Sequence, residues 1–203
     1  MPKVVDYEQK KQEIAHKALY VFAFEGYHRT TMAQIATMCD IGRSTIYEYF
    51  RNKDEIFTFT LNQSFDAIKL DFQDMHSGPQ RDTVEAIFII ISRILANLYQ
   101  DKRVLLVLLE HTLRIMREDQ EVGEGLKERA MEILGMFASL LEEGIRRGEI
   151  RPVDPRAMAA TLGTLIEAAV FQISIDTGVS LEAVLGSVHS LIGGLRIPIE
   201  NPV

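Results

Sequence analysis

Apolar residues recur at three- and four-residue spacing along almost the whole chain, and this helical period is what most constrains the fold. In the first such stretch, Ile14, Ala18, Val21 and Phe22 fall on one face of a helix. Long alternating apolar and polar runs are nearly absent, and no Asn-Gly or Asp-Gly pair joins two such runs. The sequence therefore predicts an all-α fold.

Start and stop signals divide this pattern into about nine helices. The first is predicted from about Asp6 to Glu25, with Gly26 as its C-terminal cap. A capping box, Thr31 with Gln34, opens a short second helix that ends near Cys39. Four further predictions are a turn at 40–42, a third helix from roughly Arg43 to Phe50, a fourth helix capped by Asn52, and a break at 76–80. Later helices are predicted at about 82–100, 102–119, 123–147, 155–176 and 180–195.

Charge is distributed unevenly between the two parts of the chain. Residues 1–53 carry 8 Lys and Arg against 6 Asp and Glu, whereas residues 54–203 carry 14 against 23, for a net charge of −7. A polyanion is therefore expected to meet the first part and to be repelled by the second. We predict two domains, at 1–53 and 54–203.

Cysteine content and hydropathy indicate the cellular compartment in which the protein is expected. Cys39 is the only cysteine, which excludes a disulfide scaffold, and the first residues lack the apolar core of a signal peptide. The most apolar window, at 157–175, contains Glu167 and Gln172 and is predicted to be a buried helix rather than a membrane span. We expect a cytoplasmic protein that does not enter a membrane.

The second and third helices, with the turn between them, are typical of a helix-turn-helix unit that follows a packing helix. On the third helix, Ile46 and Phe50 are spaced four apart and are expected to face the core. The open face then carries mostly polar side chains that can bond to base edges or phosphates in a major groove, namely Arg43, Ser44, Tyr47 and Glu48.

These residues resemble the TetR/AcrR family of bacterial transcriptional regulators. The resemblance covers about residues 10–57 and rests on two stretches, GYHRTTMAQIA at 26–36 and IGRSTIYEYFRNKDEI at 41–56. Asp40 and Gly42 depart from the family's usual Gly and Ser in the turn. The resemblance implies an all-α protein with an N-terminal helix-turn-helix domain and a C-terminal effector-binding and dimerisation domain.

The resemblance also implies roles for individual residues. Thr31, Tyr47 and Lys53 are expected to contact DNA phosphates, and Thr45 and Tyr49 are expected to make further backbone contacts. The positions that read sequence are Arg43, Ser44 and Glu48. Simple packing remains an alternative for both tyrosines, and an ordinary solvated charge remains one for Arg43.

The second domain is expected to form a homodimer and to bind an effector. The helices at about 155–176 and 180–195 are apolar on most sides, so a second copy is expected to cover them. The middle helices are expected to enclose a pocket for a small, largely apolar effector. Its predicted lining is Phe88, Ile91, Leu95, Tyr99, Leu109, His111, Leu113, Met116, Met131, Leu134, Phe137, Glu167 and Phe171. The alternatives are a satisfied interior role for His111, a pair across the dimer for Glu167, and a surface ion pair between Glu110 and Arg114.

The function expected from these features is a repressor that an effector releases from a pseudo-palindromic double-stranded DNA operator. A small-molecule-binding protein with a vestigial DNA head and a transcriptional activator are the alternatives. No enzyme motif, cofactor loop or metal-ligand spacing is found in the sequence, so neither a catalytic site nor a cofactor is expected. The nearest metal signal, Glu13 with His16 and Glu25 with His28, lies on or beyond one short helix.

Overall fold

The computed structural model describes residues 7–77, 82–99, 102–118, 120–175 and 178–197. Described residues form helices and no strand apart from one isolated bridge between Ile150 and Arg196, so the all-α prediction is confirmed. The helices are α1 (Tyr7–Glu25), α2 (Met32–Met38), α3 (Ile46–Tyr49), α4 (Lys53–Ser77), α5 (Thr83–Tyr99), α6 (Lys102–Glu118), α7 (Gln120–Arg146), α8 (Pro155–Ser174) and α9 (Leu181–Gly193).

The predicted cap at the start of α2 is confirmed. The Thr31 hydroxyl accepts from the Gln34 amide at 3.3 Å, and the Gln34 side chain accepts from the Thr31 amide at 2.8 Å. Gly26 ends α1 with a φ of 83°, a conformation that glycine adopts without steric cost. Asp40 has a φ of 55° in the turn after α2, where a short polar side chain is tolerated.

Helix α3 is shorter than predicted, because it begins at Ile46 rather than near Arg43. Residues 43–45 form a tight turn in which the amides of Tyr47 and Glu48 donate to carbonyls three residues back. Gly42 precedes this turn and offers no helix propensity, and Thr45 makes no side-chain cap bond. Arg43 and Ser44 therefore lie ahead of α3 and not within it.

The chain divides into two compact units. Unit 1 contains residues 1–66 and 103–114, and unit 2 contains residues 67–102 and 115–203. The sequence boundary near residue 53 remains a prediction about functional domains, since the compact units divide within α4. The core of unit 1 contains Ile14, Ala18, Phe22, Ile35, Ile46, Phe50 and Phe57.

Unit 2 is built around α5, which packs against α7, α8 and α9. Its core side chains include Ile87, Ile90, Ile91, Phe137, Leu162 and Ile173. The loop after α7 is fixed to the start of α5, because the Glu149 carboxylate accepts from both the amide and the hydroxyl of Thr83 at 2.8 and 2.6 Å. Arg147 donates to the same hydroxyl at 2.8 Å.

Two glycines of α7 give a prediction about packing in unit 2. A Cβ at Gly144 would lie 2.8 Å from the Ile150 side chain and 2.9 Å from Thr83, whereas a Cβ at Gly125 would meet nothing within 4 Å. Gly144→Ala is therefore expected to lower the free energy of unfolding by about 1–2 kcal/mol through overpacking. Gly125→Ala, the matched control, is expected to raise it by up to about 1 kcal/mol, because alanine favours the helix. Urea unfolding of both variants tests this, and equal effects would contradict it.

Helices α8 and α9 leave large apolar side chains exposed in the single chain. Phe171, Ile175 and Leu191 are each at least half exposed. Among the described helices, α8 is the one that is long and apolar enough to cross a membrane by length and composition, and a third of its most apolar window is buried. The sequence predicts a buried helix here, and the chain by itself buries only part of it.

Candidate nucleic-acid interface

The segment from α2 to α3 presents polar side chains over an apolar anchor. Ile46 is fully buried and Phe50 is 1% exposed, so the inner face of α3 is fixed in the unit 1 core. Tyr47 is 57% exposed, and Arg43, Ser44 and Glu48 are also exposed. All four side chains that the sequence assigns to the open face are therefore accessible to solvent, and their DNA contacts stay a prediction.

Thr31 and Thr45 flank this surface with different surroundings. Thr31 is exposed at the start of α2, and its hydroxyl also donates to the Gln34 side chain at 2.8 Å. Thr45 is half-buried and makes no cap bond at the start of α3. Both lie beside backbone amides at helix starts, where an anion is favoured.

Tyr49 contacts the first helix. Its ring stacks on the ring of Tyr7 with centroids 4.9 Å apart and planes 22° apart, and Tyr49 is half-buried. The Tyr7 hydroxyl donates to the backbone carbonyl of Glu48 at 3.0 Å. Sequence reasoning missed Tyr7, since its 41-residue separation from Glu48 leaves no local signal.

Lys53 makes contacts that the sequence does not predict. Its ammonium group donates to the carbonyls of Tyr27 at 2.7 Å, of Thr30 at 3.0 Å and of His28 at 3.2 Å. These three bonds match the three protons of an ammonium group, and Nζ also lies 4.5 Å from the centroid of the Tyr27 ring. Burial lowers the pKa of Lys53. The phosphate role of Lys53 stays a prediction, and in this structure its ammonium binds the turn between α1 and α2.

A polar cluster surrounds Tyr27 in unit 1. The Tyr27 hydroxyl donates to Asp54 Oδ1 at 2.6 Å, and Arg114 donates to the same oxygen at 3.0 Å. Burial and the bond to Asp54 raise the pKa of Tyr27 well above its usual range. The His111 ring lies 3.6 Å from the Tyr27 ring and 4.2 Å from the Phe57 ring, centroid to centroid. This cluster joins α6 to the start of α4 and to the α1–α2 turn.

His111 therefore lies against other elements of unit 1. It is 3% exposed, and its Nδ1 accepts from Arg114 Nε at 3.3 Å. Burial, together with the positive charge of Arg114, lowers the pKa of His111 to about 4. The sequence leaves two interpretations of His111, namely an effector contact and an interior histidine whose hydrogen bonds are made within the protein. The buried ring and its bond with Arg114 favour the second.

The predicted effector-pocket residues occupy several environments. Leu109, His111 and Leu113 belong to unit 1, and the others belong to unit 2. Ile91, Leu95 and Phe137 are completely buried in the core. The side chains that are more than half exposed are Leu113, Met116, Met131 and Phe171, and Glu167 is also exposed. The half-buried members are Phe88, Tyr99, Leu109 and Leu134.

Unit 2 has an open groove between α4 and α7 of about 700 Å³. Its apolar part is Phe72, Met136 and the helical Gly135, and its polar part is Gln73, Ser139 and the Lys69–Glu132 ion pair. A Cβ at Gly135 would meet nothing within 4 Å, so the groove is open at that position. The sequence does not reveal these residues, because a groove between two helices depends on how the helices pack and leaves no local signal.

Among the described residues, no group of three or more His, Cys, Asp or Glu side chains is arranged to hold a metal ion. Glu13, from the nearest metal signal in the sequence, pairs with Lys10 at 2.9 Å and with Lys17 at 2.8 Å.

Two short helices, α2 and α3, are joined by a tight turn after the packing helix α1, and α3 exposes polar side chains. This is the helix-turn-helix arrangement of DNA-binding proteins. The family model for bacterial regulatory proteins of the tetR family matches residues 14–58. An uncharacterized HTH-type transcriptional regulator of Bacillus subtilis (strain 168), YhgD, is 31% identical over 172 residues, which cover 80% of this chain and 83% of that protein. The chain belongs to the TetR family of transcriptional regulators.

Of two further matches, one is named for fatty acid metabolism and the other is a structure with a bound ligand. The fatty acid metabolism regulator protein of Bacillus subtilis (strain 168) is 26% identical over 189 residues, which cover 90% of this chain and 93% of that protein. The structure of the transcriptional regulator FadR from Bacillus subtilis, in complex with stearoyl-CoA, is 25% identical with a TM-score of 0.69. That comparison covers 89% of this chain and 96% of the other.

Proposed function

We propose that the protein is a homodimeric repressor whose two α3 segments bind successive major grooves of a pseudo-palindromic operator. The observation that carries this proposal is the exposed polar surface at Arg43, Ser44, Tyr47 and Glu48 above the buried side chains of Ile46 and Phe50. Arginine bonds bidentately to guanine and glutamate accepts from cytosine, so Arg43 and Glu48 are the proposed base readers. Tyr47, Thr31, Thr45 and Tyr49 are proposed to contact the phosphate backbone, a role in which they hold the register without reading sequence.

The dimer is proposed to form through α8 and α9. These helices and the residue that follows α8 expose large apolar side chains in the single chain, namely Phe171, Ile175 and Leu191, and a second copy would remove them from water. A two-fold contact between copies covers the same patch on both. It also supplies the two recognition segments that a pseudo-palindrome needs.

The effector is proposed to be a long-chain acyl thioester. This proposal is supported by the relatives, of which one is named for fatty acid metabolism and another is a complex with stearoyl-CoA. In this chain, the groove between α4 and α7 combines apolar Phe72 and Met136 with polar Gln73, Ser139 and the Lys69–Glu132 ion pair. An acyl chain needs an apolar surface and its thioester end a polar one, so we propose this groove as part of the effector site.

Release is proposed to be a population shift between two conformations, only one of which fits the operator. Helices α4 and α6 each contribute residues to both units, and α4 begins directly after the recognition segment. They are therefore the proposed carriers of the effector's influence on α3.

Binding to the DNA immediately upstream of the protein's own gene tests this function. We expect binding that resists a scrambled competitor and weakens with salt, since phosphate contacts release counterions. Tyr47→Ala is expected to weaken binding to all sequences by about tenfold, as loss of a backbone contact does. Arg43→Ala is expected to cost about 1–3 kcal/mol at one base position. Titrations at two salt concentrations, with operators altered one base at a time, separate these effects.

The same complex tests the effector. Stearoyl-CoA is expected to release the operator, while free CoA is the control. Gly135→Phe, which fills an open part of the groove, is expected to reduce this release without weakening operator binding. Wild-type binding no stronger than that to scrambled DNA would instead favour a small-molecule-binding protein with a vestigial head. Tighter operator binding with stearoyl-CoA would contradict release.

A further inference from the structure

The recognition helix has few intrinsic means of holding its orientation. It comprises four residues, a single turn, and isolated helices of fewer than about twelve residues are marginal in water. Thr45 makes no side-chain bond at its N-terminal end. Ile46 and Phe50 anchor only the inner face. The orientation of α3 must therefore depend on contacts with other elements.

The first residue of α1 supplies such contacts at the opposite end of α3. The Tyr7 ring stacks on Tyr49 at 4.9 Å, an arrangement that offset aromatic pairs prefer. The Tyr7 hydroxyl donates at 3.0 Å to the carbonyl of Glu48, which belongs to the last turn of α3. The carbonyls of a last turn have no partner within their own helix, so Tyr7 completes the C-terminal end of α3.

A second side chain of α1 reinforces this contact. Lys11 lies one turn after Tyr7, and residues four apart share a helix face. Its Nζ lies 5.2 Å from the centroid of Phe50, the C-cap of α3, and 4.9 Å from that of Phe59. One face of the first two turns of α1 therefore contacts the C-terminal end of α3.

We propose that Tyr7 is a positioning residue for base recognition. It fixes the C-terminal end of α3 and thereby sets the angle at which Tyr47 and Glu48, which lie on that helix, meet the DNA. This inference rests on the proposed DNA-binding function. Since Tyr7 acts through α3, its loss is expected to reduce discrimination between operators more than attraction to DNA in general.

The test compares Tyr7→Phe and Tyr7→Leu with Tyr20→Leu. Tyr20 lies on the same helix and also makes a ring contact, with His16 at 5.1 Å, so it controls for the loss of a tyrosine from α1. In the DNA-free protein, Tyr7→Leu is expected to increase amide hydrogen exchange at residues 46–51, and Tyr20→Leu is not. With DNA, Tyr7→Leu is expected to lower the affinity for the operator about tenfold, as loss of one well-formed contact does.

Three readouts distinguish positioning from other roles. The affinity of Tyr7→Leu for scrambled DNA and its salt slope are expected to match those of wild type, and Tyr7→Phe is expected to retain most of the operator preference through stacking. Equal weakening on operator and scrambled DNA would show a direct contact with the DNA backbone and overturn the inference. Unchanged exchange at 46–51 would overturn it even without DNA. If Tyr7→Leu shows the expected increase in exchange but the wild-type protein binds no operator more tightly than scrambled DNA, the result would count against the proposed function and not against the contact of Tyr7 with α3.

Discussion

Replacing Lys53 by methionine is expected to lower the free energy of unfolding by about 1.5–3 kcal/mol, the range measured for hydrogen bonds to charged groups. Methionine keeps an apolar side chain of similar length but supplies no proton for the carbonyls of Tyr27, His28 and Thr30. It also removes the cation that lies 4.5 Å from the Tyr27 ring. Urea unfolding of the variant beside wild type measures the loss.

Lys17→Met is the matched control for this prediction. Lys17 bonds to Glu13 four residues earlier on the surface of α1, at 2.8 Å, and such exposed pairs contribute little to stability because water screens them. The family resemblance makes a different prediction for Lys53, namely a phosphate contact. An unchanged free energy of unfolding, together with a salt slope of DNA binding reduced by about one, would favour that role over the structural one.

Local chemistry explains why most of the architecture is predictable from the sequence. The capping box at Thr31 and the glycine that ends α1 act within a few residues, and both are confirmed. The predicted helices α5, α6 and α8 begin and end within two residues of their observed bounds. The predicted first residue of α3 is wrong by three residues, because the polar residues after Gly42 are compatible with a tight turn as well as with a helix.

The environment of individual side chains is less predictable, since it depends on elements distant in sequence. The bonds from Lys53 reach 23 to 26 residues back, and the Arg114 bond to Asp54 spans 60 residues. A helical period identifies an apolar stripe but not what covers it. Met131 and Phe171 belong to such stripes and are 62% and 58% exposed in the single chain. The residues that line a pocket can therefore be predicted only when the packing of whole helices is known.

Acidification is expected to destabilise the protein through His111. Its pKa is lowered to about 4 by burial and by Arg114, whereas the pKa of histidine in an unfolded chain is about 6.5. Between these two values the unfolded chain binds a proton that the folded chain excludes, so stability falls as the pH decreases through this window. From pH 6.5 to pH 5 the expected loss is about 1.6 kcal/mol, which is less than the full slope of about 1.36 kcal/mol per pH unit because the unfolded histidine is already half protonated at pH 6.5.

The variant His111→Gln isolates this effect, because glutamine supplies an acceptor for Arg114 but does not titrate. It is expected to be less stable than wild type at pH 7, since the ring contacts with Tyr27 and Phe57 are lost. The further loss between pH 7 and pH 5 is expected to shrink by about 2 kcal/mol. His16→Gln, in which an exposed histidine of α1 is removed, provides the reference for urea unfolding at both pH values.

The neighbours of His111 determine how this result is understood. Asp54, whose Oδ1 lies 3.4 Å from Nε2, favours the protonated ring, whereas Arg114 and His28 oppose it. Protonation would place a second positive charge beside Arg114 in a site closed by Tyr27 and Phe57, so α6 is expected to separate from α4 and the α1–α2 turn before the rest of the fold opens. An equal loss of stability on acidification in wild type and His111→Gln would show that other groups govern the acid response.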